Sequence, residues 1–203
     1  MRKEDHEKKE IWENIGFDES NNGYDKNHPK LPAIYVTVSS DFGADLQMLP
    51  HEEAIMMPKP RKSIKNQKTA KERLQAELDM RDYSYLLLTK FDCSFIDYDK
   101  RLGIIMSSLL SDQPLTDHIN LYVDGIWSQT SQDFTKSVLH DVTGLERDCI
   151  TLVTGADLDR RASIVSLADQ TAYWLLNKSI KYLQNDNHRR ELLPDFKKYL
   201  KRK

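Results

Sequence analysis

The sequence predicts an α/β domain built on a five-stranded mixed sheet with helices on both faces. Two observations carry this. Three strand-like stretches come first and suit an antiparallel meander. From residue 97 onward strands and helices alternate, which requires parallel pairing through crossovers. A third observation concerns the sheet's edge: the first and fourth predicted strands both finish on carboxylates, at Asp18 and Asp124.

The first predicted strand lies within residues 11–18, with Ile15 and Phe17 on one face and Gly16 and Asp18 on the other. It runs into Glu19-Ser20-Asn21-Asn22-Gly23, and residues 21–30 are turn chemistry up to Pro29. The second strand, residues 33–40, is rich in β-branched side chains. Pro50, Pro58 and Pro60 prevent a continuous helix over residues 41–60, and residues 61–80 read as a basic helix. The third strand covers residues 83–89. A helix over 97–111 has Leu102, Ile105, Met106 and Leu109 on one stripe, with Asp97 or Asp99 as its cap. The fourth strand is 119–125. A helix over 131–142 closes at Gly144, the fifth strand is 149–154, and the last helix runs from Ser163 to Leu183.

This divides the chain into a charged N-terminal tail (1–10), a domain (11–185) carrying a basic helical insertion (41–82), and a basic C-terminal tail (186–203). The chain has 203 residues, 39% hydrophobic and 31% charged, which suits one domain with a real core and polar appendages. A net charge of −2 gives no global attraction for nucleic acid, so a basic binding surface has to be local. No run approaches the roughly 18 apolar residues of a membrane span, and the charged first ten residues are the opposite of a signal peptide. Cys93 and Cys149 sit in apolar, strand-like surroundings and read as free thiols in a reducing cytosol. The expectation is a soluble, cytoplasmic protein.

Asp169 is the most informative single residue. On the last helix it shares a face with Val165, Ala172 and Leu176, and an acid on an apolar stripe is costly to bury alone. An Arg or Lys partner or a divalent cation would compensate it. With Asp18 and Asp124 directed to the same sheet edge, the cation is favoured, and hard oxygen ligands suit magnesium or manganese. The segment Asp157-Leu158-Asp159-Arg160-Arg161 adds acids and two arginines at this rim, as caps and a salt-bridged turn or as a phosphate grip by Arg160 or Arg161. Arg61, Lys62, Lys65 and Lys68 form a basic cluster without interleaved aromatics. It is either a solvated helical face or a phosphate-contacting patch, and it does not indicate base stacking.

At Phe17-Asp18-Glu19-Ser20, Val123-Asp124-Gly125 and Leu167-Ala168-Asp169, the sequence resembles the ribonuclease H-like superfamily. It looks closest to prokaryotic members whose first strand ends in Asp-Glu-Ser and whose last helix carries Leu-Ala-Asp. The resemblance covers residues 11–185 and rests on the order and placement of short motifs. It implies a ribonuclease H-like fold and a nuclease using two Mg2+ or Mn2+ ions on RNA, an RNA–DNA hybrid or structured DNA. Asp18 would bridge the metals, Asp124 and Asp169 would complete their shells, and Glu19 would be a ligand or support a metal-bound water. The superfamily usually places another acid on the first helix. Here only Asp97 and Asp99 lie there; otherwise the fourth carboxylate is Glu19, Asp157 or Asp159, or is absent. The second expectation is a ribonuclease H-like module without chemistry that binds nucleic acid or a protein partner. No glycine-rich phosphate loop supports another phosphate-handling enzyme. Ser20 has no adjacent His, and the six histidines lack ligand spacing.

Overall fold

The computed structural model describes residues 12–20, 32–50, 52–53, 68–89, 98–113, 117–178, 180–184 and 186–194. The strands are β1 (Trp12–Ser20), β2 (Ala33–Ser39), β3 (Asp82–Leu88), β4 (His118–Asp124), β5 (Ile150–Gly155) and β6 (Arg189–Arg190). They form one sheet in the order β5-β4-β1-β2-β3-β6. β1, β2 and β3 make the antiparallel meander, and β4 and β5 extend it in parallel on the β1 side. This is the mixed sheet expected, three antiparallel strands followed by parallel ones, with one strand more. Residues 189–190 add a short parallel strand beside β3, pairing Tyr85 with Arg189 and Leu86 with Arg190.

The helices are α1 (Lys68–Leu78), α2 (Tyr98–Leu110), α3 (Gln129–Thr143), α4 (Leu158–Arg161), α5 (Ser163–Leu176) and α6 (Ile180–Gln184). Two-residue alternation along the strands makes a core on each face of the sheet. On one face Ile15, Phe17, Tyr35, Leu121 and Val123 pack with Leu102, Ile105 and Leu109 of α2 and with Leu139 of α3. On the other, Ile34, Val36 and Val38 meet Leu74 and Leu78 of α1 and Leu167, Ala168 and Ala172 of α5. Each fully buried aliphatic side chain contributes about 1.5–3 kcal/mol before the entropy of ordering is set against it.

Local signals place the ends of α3 as expected. The Ser128 hydroxyl accepts from the Ser131 N–H, and Gly144 closes the helix in the left-handed conformation at φ 75°. The last helix differs from expectation, because it breaks after Leu176. The N–H groups of Asn177 and Lys178 bond three residues back, to Trp174 and Leu175, which tightens and ends the turn. Residues 41–50, expected to be irregular, have a fixed course. They cross the start of α5, where the Asp45 and Gln47 carbonyls accept from Ile164 and Ser163. Arg81 holds Asp45 through two hydrogen bonds, of 2.6 and 3.1 Å, and the Ser40 hydroxyl donates to the same carboxylate. Residues 54–67, 90–97 and 195–203, which contain Cys93, Asp97 and the Arg61, Lys62 and Lys65 part of the basic insertion, lie outside the described residues, as does the side chain of Asp99. Cys149 is a half-buried free thiol. No helix of the described residues is long and apolar enough to cross a membrane.

Candidate functional site

The site is assembled by register. β1 and β4 run parallel with Phe17 opposite Val123. The next residue of each strand is an aspartate, so Asp18 and Asp124 stand side by side at the C-terminal edge. β5 continues the row, with Asp124 opposite Gly155. Strand alternation turns Asp18 to the face covered by α5, because Ile15 and Phe17 fill the opposite core.

Gly16 allows α5 to lie against β1 on that face. A side-chain carbon at Gly16 would meet the Ile164 carbonyl oxygen at 2.4 Å. From this contact α5 runs along the sheet and carries Asp169 to Asp18. Asp169 is 1% exposed and Asp18 8% exposed, so both carboxylates lie largely out of water. One oxygen of Asp18 accepts the Glu19 N–H at 2.7 Å, and the other, Oδ2, is buried and accepts no hydrogen bond.

The electrostatics report the same convergence. Burial pushes the Asp18 carboxyl well above its ordinary value, and the charges of Glu19, Asp169 and Asp124 push it further, against the pull of the Glu19 N–H. Glu19 is half-buried and, by alternation, on the other pleat from Asp18, yet it acts on Asp18 more strongly than Asp169 does. Asp124 is also raised, first by burial and then by Asp159. The N–H groups of Leu158, Gly125 and Asp159 oppose that rise, the Leu158 bond measuring 2.6 Å. Among the described residues, no lysine or arginine is named among the groups acting on Asp18 or Asp124.

The structure therefore brings together Asp18, Glu19, Asp124 and Asp169, and adds Asp159, which is 4% exposed. Only its position after the fifth strand points to Asp159 in the sequence. The arginines are placed differently. Arg161 donates to the Leu49 carbonyl at 3.2 Å and approaches the Met48 sulfur at 3.9 Å, which fixes residues 48–49 to α4. Arg160 is half-buried, and its Nε makes no hydrogen bond. Lys68 is exposed and pairs with Glu72 at 3.7 Å along α1. Arg61, Lys62 and Lys65 are outside the described residues.

The donor set is all carboxylate oxygen, which fits a hard divalent cation, and a buried carboxylate with an unused oxygen fits a missing ligand. Among the described residues, no three His, Cys, Asp or Glu side chains are grouped closely enough to hold an ion by themselves.

No protein family and no curated protein matches the chain. Among solved structures it is similar to the PCNA:RNase HII complex from Archaeoglobus fulgidus, at 15% identity and a TM-score of 0.46, over 92% of this chain and 84% of that one.

Proposed function

We propose that the protein is a divalent-metal-dependent nuclease that hydrolyses phosphodiester bonds in RNA, an RNA–DNA hybrid or structured DNA. The observation that carries this reading is the Asp18 carboxylate. It is buried beside Asp169, Asp124 and Glu19, and, among the described residues, one of its oxygens has no hydrogen bond and no basic group is among those acting on it. Carboxylates gathered at the C-terminal edge of parallel strands form a cation-binding rim, where ligands of open α/β sheets bind. The ribonuclease H-like strand order and the placement of the three short motifs support the same reading.

Asp18, Asp124 and Asp169 would hold magnesium or manganese, with two ions expected, and Glu19 would serve as a ligand or orient a water. Divalent cations supply an activated water and stabilise charge on the leaving oxygen. The chain's own part is to fix these carboxylates. The Glu19 N–H orients Asp18, the Leu158 N–H orients Asp124, and the Gly16 contact sets the height of Asp169. Arg160, with a free Nε at this rim, would meet a phosphate, as would Lys68 with Arg61, Lys62 and Lys65.

The test is cleavage of end-labelled RNA, hybrid and DNA oligonucleotides with magnesium, manganese or EDTA. Metal-dependent cleavage lost in Asp18→Asn and Asp169→Asn supports the proposal. Metal-independent binding without cleavage would replace it with a nucleic-acid-binding module.

A further inference from the structure

We propose that Ile126 is a substrate-binding residue that packs on the face of an unstacked base, so that the site takes single-stranded nucleic acid at this point. This rests on the nuclease reading above and deepens it by naming the form of the substrate and the side chain that selects it.

Ile126 follows Asp124 by two residues, so their Cα atoms lie within about 7 Å of each other at the end of β4. The turn is fixed on both sides. Before Ile126, Gly125 bends the chain at φ 102°, a region that favours glycine, and its N–H donates to the Gly155 carbonyl at 2.9 Å. After it, Trp127 is buried in the core with residues of α2 and α3, and its carbonyl accepts from the Gln132 side chain at 3.2 Å. The indole also backs the turn, since a side-chain carbon at Gly125 would lie 3.6 Å from its Nε1. Between these anchors Ile126 is 85% exposed. Met80, the next most exposed large apolar side chain among the described residues, is 58% exposed.

An isoleucine standing in water adds nothing to the core, whereas covering it with an apolar ligand removes aliphatic surface from solvent. A turn already ordered loses little freedom when that ligand arrives. Its place selects the ligand. The Gly125–Gly155 hydrogen bond ties the turn to the chain that leads into α4 and Arg160, whose Nε has no hydrogen bond among the described residues. A phosphate held at this rim leaves the base of its nucleotide as the apolar part of the substrate. In a duplex the base faces are stacked on one another, and a protein meets phosphates, sugars and base edges. None of these offers an aliphatic side chain a flat apolar surface. An unstacked base does, and isoleucine and leucine press on base faces where proteins open base steps. Ile126 has no side-chain donor or acceptor, so the contact ranks strands by unstacking and not by sequence.

The experiment is fluorescence anisotropy of the full chain in magnesium with labelled, cleavage-resistant phosphorothioate oligonucleotides. Three ligands are compared: a single strand, a blunt duplex of the same sequence, and an abasic single strand. The proteins are wild type, Ile126→Ser, Ile126→Leu and Met80→Ser, Met80 lying just before β3 at the opposite edge of the sheet. We expect Ile126→Ser to weaken binding of the single strand by about 10-fold, the effect of partly burying one aliphatic side chain. Ile126→Leu and Met80→Ser should bind it within about 2-fold of wild type, the leucine because it restores an apolar surface. Duplex and abasic strand should bind equally to wild type and Ile126→Ser, because neither presents a free base face. Equal losses on all three ligands would show a contact to the backbone and overturn the assignment. A lower melting temperature for Ile126→Ser would also overturn it, since the side chain would then belong to the fold. Binding of the single strand by wild type with no loss in Ile126→Ser removes Ile126 and leaves the nuclease reading standing. No binding of any nucleic acid by wild type overturns both.

Discussion

Gly16 and Ile164 touch where β1 meets the start of α5, and the contact leaves no room for a side chain. A methyl group at Gly16 would stand 2.4 Å from the Ile164 carbonyl oxygen and 2.7 Å from its carbon. The obstacle is backbone, so it cannot rotate away. Gly16→Ala is expected to destabilise the protein by about 1–3 kcal/mol, the usual scale of overpacking. It should also weaken manganese binding, because α5 can yield only by lifting Asp169 from Asp18. Thermal melts and manganese titration read the two effects, and an alanine variant that melts with wild type would refute the close contact.

The raised Asp18 carboxyl makes a pH prediction for the metal-free protein. Its folded value lies above the ordinary 3.8, so between the two values the folded state holds more protons than the unfolded state. Stability therefore falls as pH rises through that window, and Asp124 acts in the same direction. Asp18→Asn removes the Asp18 part of this slope. In EDTA at neutral pH the variant should be more stable by about 1–3 kcal/mol, the scale of one unsatisfied buried polar group. Below about pH 4 the advantage should vanish, because the carboxyl is then protonated in both states. Denaturant melts across pH decide it. An Asn variant less stable than wild type at neutral pH would mean that Asp18 has a stabilising partner.

The ion pair between Arg81 and Asp45 ties the start of β3 to the segment crossing α5. Both side chains are largely buried, at 6% and 11% exposure. Removing one partner of a buried pair costs about 3–5 kcal/mol, because the other charge is left in the interior. Asp45→Ala should fall at the low end, since Glu77 still contacts Arg81 at 2.7 Å. The double variant Asp45→Ala/Arg81→Met should recover part of the loss. Equal losses in the single and double variants would show that the guanidinium charge is not the source of the cost.

Much of this fold is legible in the sequence because its signals are local. Asp18 and Asp124 end apolar runs, Gly144 follows a periodic helix, and Asp169 interrupts an apolar stripe. What escapes is non-local. β6 is two arginines with no strand pattern, joined to the sheet where His188 stacks on Tyr83 with ring centroids 3.9 Å apart and its carbonyl accepts from the Tyr85 N–H. The course of residues 45–49 depends on backbone bonds to residues 161–164, more than a hundred positions away. Asp159 sits in a charged pentapeptide without periodicity, and only the fold separates it from Asp157.

Asp157 supplies the last prediction, because its backbone rather than its side chain shapes the site. It is the one described non-glycine residue with positive φ. A β-branched side chain disfavours the left-handed region, where an ordinary residue already costs about 1–2 kcal/mol. Asp157→Val should therefore destabilise the protein by at least that amount. Asp157→Gly, which removes the clash, should be neutral or slightly stabilising. The turn delivers the Leu158 N–H to Asp124, so the valine variant should also weaken manganese binding while the glycine variant keeps it. Melting temperature and manganese affinity should then fall together in one variant and hold together in the other. If valine lowers stability but leaves affinity unchanged, the amides of α4 do not hold Asp124 in its binding position, and the coupling of backbone turn to metal site is lost.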